Sequence, residues 1–158
     1  MLLKNCRILY HGEEGIKDIL IEKEKIVKIY SCSEVEELDI DEIIDVGGNW
    51  VLPGVMDVHT HMRDPGLSHK EDFETGSKAC AKGGVTTFID MPNTVPNTTT
   101  KEILDTKESN SKNRSYVDYG FHFGGSKLDN SEEIRKVRDR VASTKIFLNM
   151  STGDMLVE

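Results

Sequence analysis

Cysteine is scarce, three residues in 158, and Cys6, Cys32 and Cys80 stand far apart with no Cys-x-x-Cys pair. That spacing excludes a disulfide framework and a cysteine zinc site, and leaves buried free thiols as the expectation. Long apolar runs are missing as well. No stretch approaches the ~20 residues of a membrane span, and the opening MLLKNCRILYHGEE holds no secretory-signal core. Basic charge is in the minority, 20 Lys and Arg against 28 Asp and Glu for a net charge of −8, which argues against nucleic acid or an anionic membrane as partner. Neither Gly-x-Gly-x-x-Gly nor Gly-x-x-x-x-Gly-Lys-Ser/Thr occurs, so dinucleotide and P-loop chemistry lose their best support. What remains, 37% hydrophobic and 30% charged, is an ordinary globular composition, expected to be cytoplasmic.

The chain changes its pattern near residue 50. Residues 1–50 read as short strands, LLKNCRILY, KDILIEKEKIVKIY and DEIIDV, broken at His11-Gly12-Glu13-Glu14-Gly15 and at a Glu24-Lys25 turn. From Val51 onward strands alternate with helices. VLPGVMDVH is a strand, HKEDFETGSKACAKG a helix stopped by Gly83-Gly84, and VTTFIDM a strand. TTKEILDTKESNSKNR follows as a helix with a threonine cap, YVDYGFHF as a strand, NSEEIRKVRDRV as a helix with an Asn or Ser cap, and TKIFLNM as a strand. Four strands separated by three helices imply a parallel α/β sheet, either open and doubly wound or part of a (β/α)₈ barrel. Since a full barrel needs ~250 residues, this would be its first half, with two unpaired edges that invite association.

Within Val51–Gly66, VLPGVMDVHTHMRDPG, period-two alternation predicts Asp57, His59, His61 and Arg63 on one face of an extended segment. Two imidazoles at the carboxyl end of a strand can share one ion, and nitrogen ligands suit zinc; the alternative is a pair of exposed loop histidines. Arg63 beside such a site suits bidentate capture of a substrate carboxylate, or else a salt bridge to Asp64. Asn93, in the turn after the second strand, offers an amide on the same rim, or is a turn residue only. Lys145 sits in the apolar run TKIFL. Burial there would pull its pKa below ~10.4 and favour a neutral amine able to form a carbamate, an anionic metal-bridging ligand. The competing reading is a lysine reaching out to solvent, which the histidine pair makes the weaker one. His122, in the third strand, is expected to pack or line a pocket.

Val51–Gly66, together with Gly83-Gly84-Val85-Thr86-Thr87 and Met91-Pro92-Asn93-Thr94-Val95-Pro96, resembles the dihydroorotases of the amidohydrolase superfamily. Hydantoinases and allantoinases share the His-x-His strand and the lysine-bearing fourth strand. Arg63-Asp64-Pro65-Gly66 and Asn93-Thr94 favour the dihydroorotases. The resemblance implies a metal-dependent (β/α)₈ TIM barrel preceded by a small β-sandwich module, with residues 1–50 as sandwich strands and 51–158 as the first four βα units. It implies zinc-dependent, reversible hydrolysis of the cyclic amide of dihydroorotate to N-carbamoyl-aspartate in pyrimidine biosynthesis. His59 and His61 would bind the first of two zinc ions, Lys145 as carbamate would bridge them, and Arg63 and Asn93 would hold the substrate carboxylate. Some bacterial members place an aspartate in the bridging role, for which Asp154 is the weaker candidate. The family's two further histidines and its catalytic aspartate would fall beyond Glu158, so the isolated chain is expected to lack turnover. The alternatives are a hydantoinase-like or allantoinase-like amidase, and a non-catalytic module paired as a homodimer or with another pyrimidine-pathway subunit.

Overall fold

The computed structural model describes residues 1–31, 39–149 and 155–157; Cys32, Asp154 and Glu158 lie outside them. The chain divides into two compact units, Met1–Pro53 and Gly54–Glu158.

In the first unit β1 (Leu2–Tyr10) pairs antiparallel with β2 (Glu13–Glu22), which pairs antiparallel with β3 (Lys25–Ser31). Both hairpins close with two residues at positive φ, His11 at 52° with Gly12 at 84° and Lys23 at 48° with Glu24 at 66°, the backbone that matches strand twist in a tight hairpin. The second turn therefore lies one residue earlier than the expected Glu24-Lys25. β4 (Ile43–Asp45) pairs parallel with β1 and completes the order β3-β2-β1-β4. Cys6, Ile8 and Ile19 form its small core. Trp50 bridges to Arg7 and the Val51 amide donates to the Arg7 carbonyl at 2.9 Å, so the chain stays bonded to this sheet slightly past residue 50.

The second unit runs β5 (Val55–Thr60), α1 (Phe73–Gly83), β6 (Val85–Asp90), α2 (Lys101–Ser111), β7 (Asp118–Gly124), α3 (Ser131–Val137) and β8 (Ser143–Lys145). All four strands are parallel and adjacent in chain order, β5-β6-β7-β8. α1 begins at Phe73 rather than His69, because the Asp72 carboxylate accepts the Thr75 amide at 2.8 Å and so caps the helix there. It ends at Gly84, in the left-handed conformation at φ 82°. Thr100 caps α2 by accepting the Ile103 amide. Asn130 stands at the start of α3 without capping it. Its Nδ2 instead donates to the Thr99 and Gly124 carbonyls at 3.0 and 2.9 Å, tying the end of β7 to the loop before α2.

The outer face of this sheet is dry. Met62, Phe73, Phe88, Leu104, Phe121, Phe123 and Val137 form one buried cluster between strands and helices. Phe73 sits 6.1–6.3 Å from the Phe88 and Phe121 rings, and truncating it to alanine should cost about 3–5 kcal/mol. β8 is shorter than the predicted TKIFLNM run: Phe147 makes an isolated bridge to Leu156, while Ile146 and Leu148 are 52% and 82% exposed. No helix among the described residues is long and apolar enough to cross a membrane.

Candidate functional site

Parallel strands bring their carboxyl ends to one rim, and His59, His61, Asn93 and Lys145 all lie there. Their faces follow from the register. Asp57 pairs with Phe88 and Thr60 with Asp90; three steps on β5 thus match two on β6, which is a β-bulge at Val58-His59. Phe88 and Asp90 face the helices, so Asp57 and Thr60 do too. Alternation counted from Thr60 then places His59 and His61 on the inner face. Their rings are tilted at 55° with centroids 5.5 Å apart.

The expectation that Asp57 shares the histidines' face is overturned by this bulge. The Asp57 carboxylate lies on the helix side, where, after burial, it is the next cause holding the Cys80 thiol above its ordinary pKa. It also accepts the His59 amide at 3.0 Å, satisfying a donor that the bulge releases from the ladder. The Val58 carbonyl, in the same bulge, accepts from His122 Nε2 at 2.8 Å, and His122 Nδ1 meets Ser143 Oγ at 2.8 Å. His122 thus packs within the sheet and links β5, β7 and β8. Strands two apart in a flat sheet are roughly 9–10 Å apart, so one imidazole bridging β5 and β7 reports a strongly curved inner face. His122 pairs with Ser143 and Gly124 with Lys145, which puts Lys145 on that same face.

The burial expected of Lys145 is incomplete. It is half-buried, and its ammonium lies 5.2 Å from the Phe147 ring centroid; β8 ends at this residue.

Arg63 and Asn93 reach the site through two interlocked loops. Arg63 has φ 60° and Gly66 φ 87°, both left-handed, which folds the chain back so that the Leu67 amide donates to the Arg63 carbonyl at 2.9 Å. The Val95 amide donates to the Pro65 carbonyl at 3.1 Å, and a Cβ on Gly66 would stand 2.1 Å from the Val95 carbonyl oxygen. Only glycine fits that crossing. Asp64 does not pair with Arg63: its Oδ2 binds Arg114 Nη1 at 2.6 Å. Arg63 itself has no ion-pair partner among the described residues. Asn93 is buried, 5% exposed, and its Oδ1 has no hydrogen-bond partner among the described residues.

Beneath the rim lies a charged pair that sequence reasoning missed. Asp90 and Lys107 are wholly buried, with Oδ2 to Nζ at 2.6 Å; Lys107 also donates to the Met91 carbonyl at 2.9 Å, and Asp90 Oδ1 accepts the Met62 amide at 2.7 Å. Burial pushes the Lys107 pKa down while Asp90 opposes that shift. The signal was available, since Leu104, Lys107 and Ser111 recur at the buried-stripe spacing of α2. The pair fixes the backbone that follows His61. The His61 pKa is lowered, chiefly by burial and then by the Arg63 charge, while Asp90 and the Asn93 amide pull it back. A neutral imidazole near pH 7 is the form that binds a metal.

Two imidazoles sharing one ion at about 2.0–2.1 Å each hold their centroids about 5 Å apart, close to the 5.5 Å found. The histidine pair therefore fits a metal ion. No group of three or more His, Cys, Asp or Glu side chains suited to a metal occurs among the described residues.

A sequence model of the Dihydro-orotase-like family matches residues 48–145, more than half of the chain. Among curated relatives, the dihydroorotase of Methanosphaera stadtmanae is 39% identical over 158 residues, covering 100% of this chain and 36% of that protein. The dihydroorotase of Clostridioides difficile is 42% identical over 116 residues, covering 72% of this chain and 27% of that protein. The chain thus spans about a third of the length of the curated relatives it matches. Among solved structures, an L-hydantoinase (dihydropyrimidinase) from Arthrobacter aurescens aligns at TM-score 0.89 and 34% identity, covering 98% of this chain and 34% of that one. A dihydropyrimidinase from Brevibacillus agri aligns at 0.82 and 29%, covering 99% and 34%. The shared mixed α/β fold and the family match agree: the chain belongs to the dihydro-orotase-like family.

Proposed function

We propose that the protein carrying these residues is a dihydroorotase, hydrolysing the cyclic amide of dihydroorotate reversibly to N-carbamoyl-aspartate in pyrimidine biosynthesis in the cytoplasm. In this reading residues 1–50 belong to a small β-sandwich and residues 51–158 are the first four βα units of a (β/α)₈ barrel. The observation that carries it is the loop interlock at Gly66 and Val95, which sets an arginine with no ion-pair partner among the described residues and a buried amide beside His61. That constellation suits a small anionic ring better than a neutral one. Arg63 binds the substrate carboxylate through its planar fork and Asn93 donates Nδ2 to it, so that the ring lies in one orientation across the rim. His59 and His61 would hold zinc, with Lys145 as carbamate, or Asp154 in its place, as a further ligand. Zinc bound there would supply Lewis-acid polarisation of the ring carbonyl.

The likeness to the hydantoinase and dihydropyrimidinase structures supports a second reading, a cyclic amidase acting on a ring without a carboxylate. Arg63→Met separates the two in the protein encoded by the complete reading frame. Loss of a charged hydrogen bond to the carboxylate should cut kcat/KM for dihydroorotate by about 10- to 100-fold and leave hydantoin turnover within about 3-fold. Equal losses on both substrates would reject the role given to Arg63 and favour the second reading.

A further inference from the structure

We infer that His122 is a positioning residue: by donating Nε2–H to the Val58 carbonyl it holds the bulge that turns His59 and His61 to the inner face. The inference rests on reading those two histidines as the functional pair. Without the bulge, alternation from Asp57 onward is unbroken, and residues 57, 59 and 61 share one face. Asp57 is fixed on the helix side by its pairing with Phe88, so an unbroken strand would send both imidazoles toward the helices. One extra residue reverses that, which is how bulges re-aim side chains beside functional sites.

A bulge frees backbone groups that need partners, and two groups of this one have side-chain partners. The His59 amide is taken by the Asp57 carboxylate at 3.0 Å and the Val58 carbonyl by His122 Nε2 at 2.8 Å. A carbonyl oxygen only accepts, so Nε2 carries the proton. In the neutral imidazole Nδ1 then accepts from the Ser143 hydroxyl at 2.8 Å. Ser143 orients the ring, the ring holds the carbonyl, and the carbonyl sets the strand that presents His59. His122 is 8% exposed; its two ring nitrogens are occupied by Ser143 and Val58, which leaves neither facing the rim.

The test replaces His122 with Gln, whose amide nitrogen lies near the Nε2 position, and with Asn, whose amide is too short to reach Val58. In the purified chain, NMR should give a ring-to-ring Overhauser effect between His59 and His61 in the wild type and His122→Gln. His122→Asn should lose it, with far-UV circular dichroism and thermal midpoint close to those of His122→Gln. Zn²⁺ affinity by chelator competition should fall about 10- to 100-fold in His122→Asn and by less than about 3-fold in His122→Gln. If the Overhauser effect persists in His122→Asn, or is absent from the wild type, the inference is overturned. If it follows the prediction while the wild type shows no Zn²⁺ affinity, the positioning role stands and the metal reading of the pair fails.

Discussion

Lys107→Met should be among the most damaging single substitutions in the second unit, and Asp90→Asn in the same chain should largely reverse it. Lys107 Nζ and Asp90 Oδ2 are 2.6 Å apart and both side chains are fully buried. Removing one partner of such a pair leaves an uncompensated charge in the interior, at a cost of about 3–5 kcal/mol. The Met91 carbonyl also loses its donor. Against a domain stability of about 5–15 kcal/mol, that places Lys107→Met close to unfolding, with a thermal midpoint lowered by more than about 10 °C. Asn at position 90 still offers Oδ1 to the Met62 amide, and Met at 107 fills the lysine stem's volume beside Phe121, so the double variant carries no buried charge. A favourable coupling of about 2 kcal/mol or more is expected from the cycle. Urea denaturation read by circular dichroism supplies the four stabilities. Trp50, the one tryptophan, reports the first unit by fluorescence and serves as the unperturbed control. Additive losses in the double variant would refute the claim that the two charges stabilise each other.

Three further outcomes follow from the same geometry. Gly66→Ala should lose at least about 2 kcal/mol, because alanine is strained at φ 87° and its Cβ would enter the Val95 carbonyl; amide hydrogen exchange should rise in residues 63–67 and 91–99 together, and a rise in only one loop would contradict the interlock. The folded-state pKa of His61 lies below 6.5, so its neutral state stabilises the fold above that value and the contribution is lost as pH falls through the depressed folded value; His61→Gln should flatten the stability loss between pH 7.5 and 5, measured by denaturant midpoints. Asp90→Asn should lower the His61 pKa further, since the Asp90 charge now raises it; an NMR titration showing an upward shift would be inconsistent with that.

Much of the second unit was legible because its signals are local. Capping by Thr100, the Gly84 stop and the apolar periods of β6 and β7 act within a few residues, and each element formed near its predicted place. α1 starts later than predicted because Asp72, in extended backbone, caps it by accepting the Thr75 amide. What alternation alone could not yield was the bulge at Val58-His59, since its partners come from Asp57 and from His122, 64 residues away. The incomplete burial of Lys145 was illegible for a similar reason. An apolar run reads as buried, but how far a strand continues depends on its neighbour, and β8 pairs with β7 for only three residues. The Arg114–Asp64 pair spans 50 positions and left no mark in the Arg63-Asp64-Pro65-Gly66 motif that it frees for Arg63.

The most direct test of the account is a comparison of substrates by the protein encoded by the complete reading frame, purified and supplied with Zn²⁺ and bicarbonate. The account predicts that dihydroorotate is hydrolysed, and N-carbamoyl-aspartate cyclised, with a kcat/KM well above that for hydantoin or allantoin. A preference for hydantoin or allantoin, or no turnover of dihydroorotate in either direction, would contradict it.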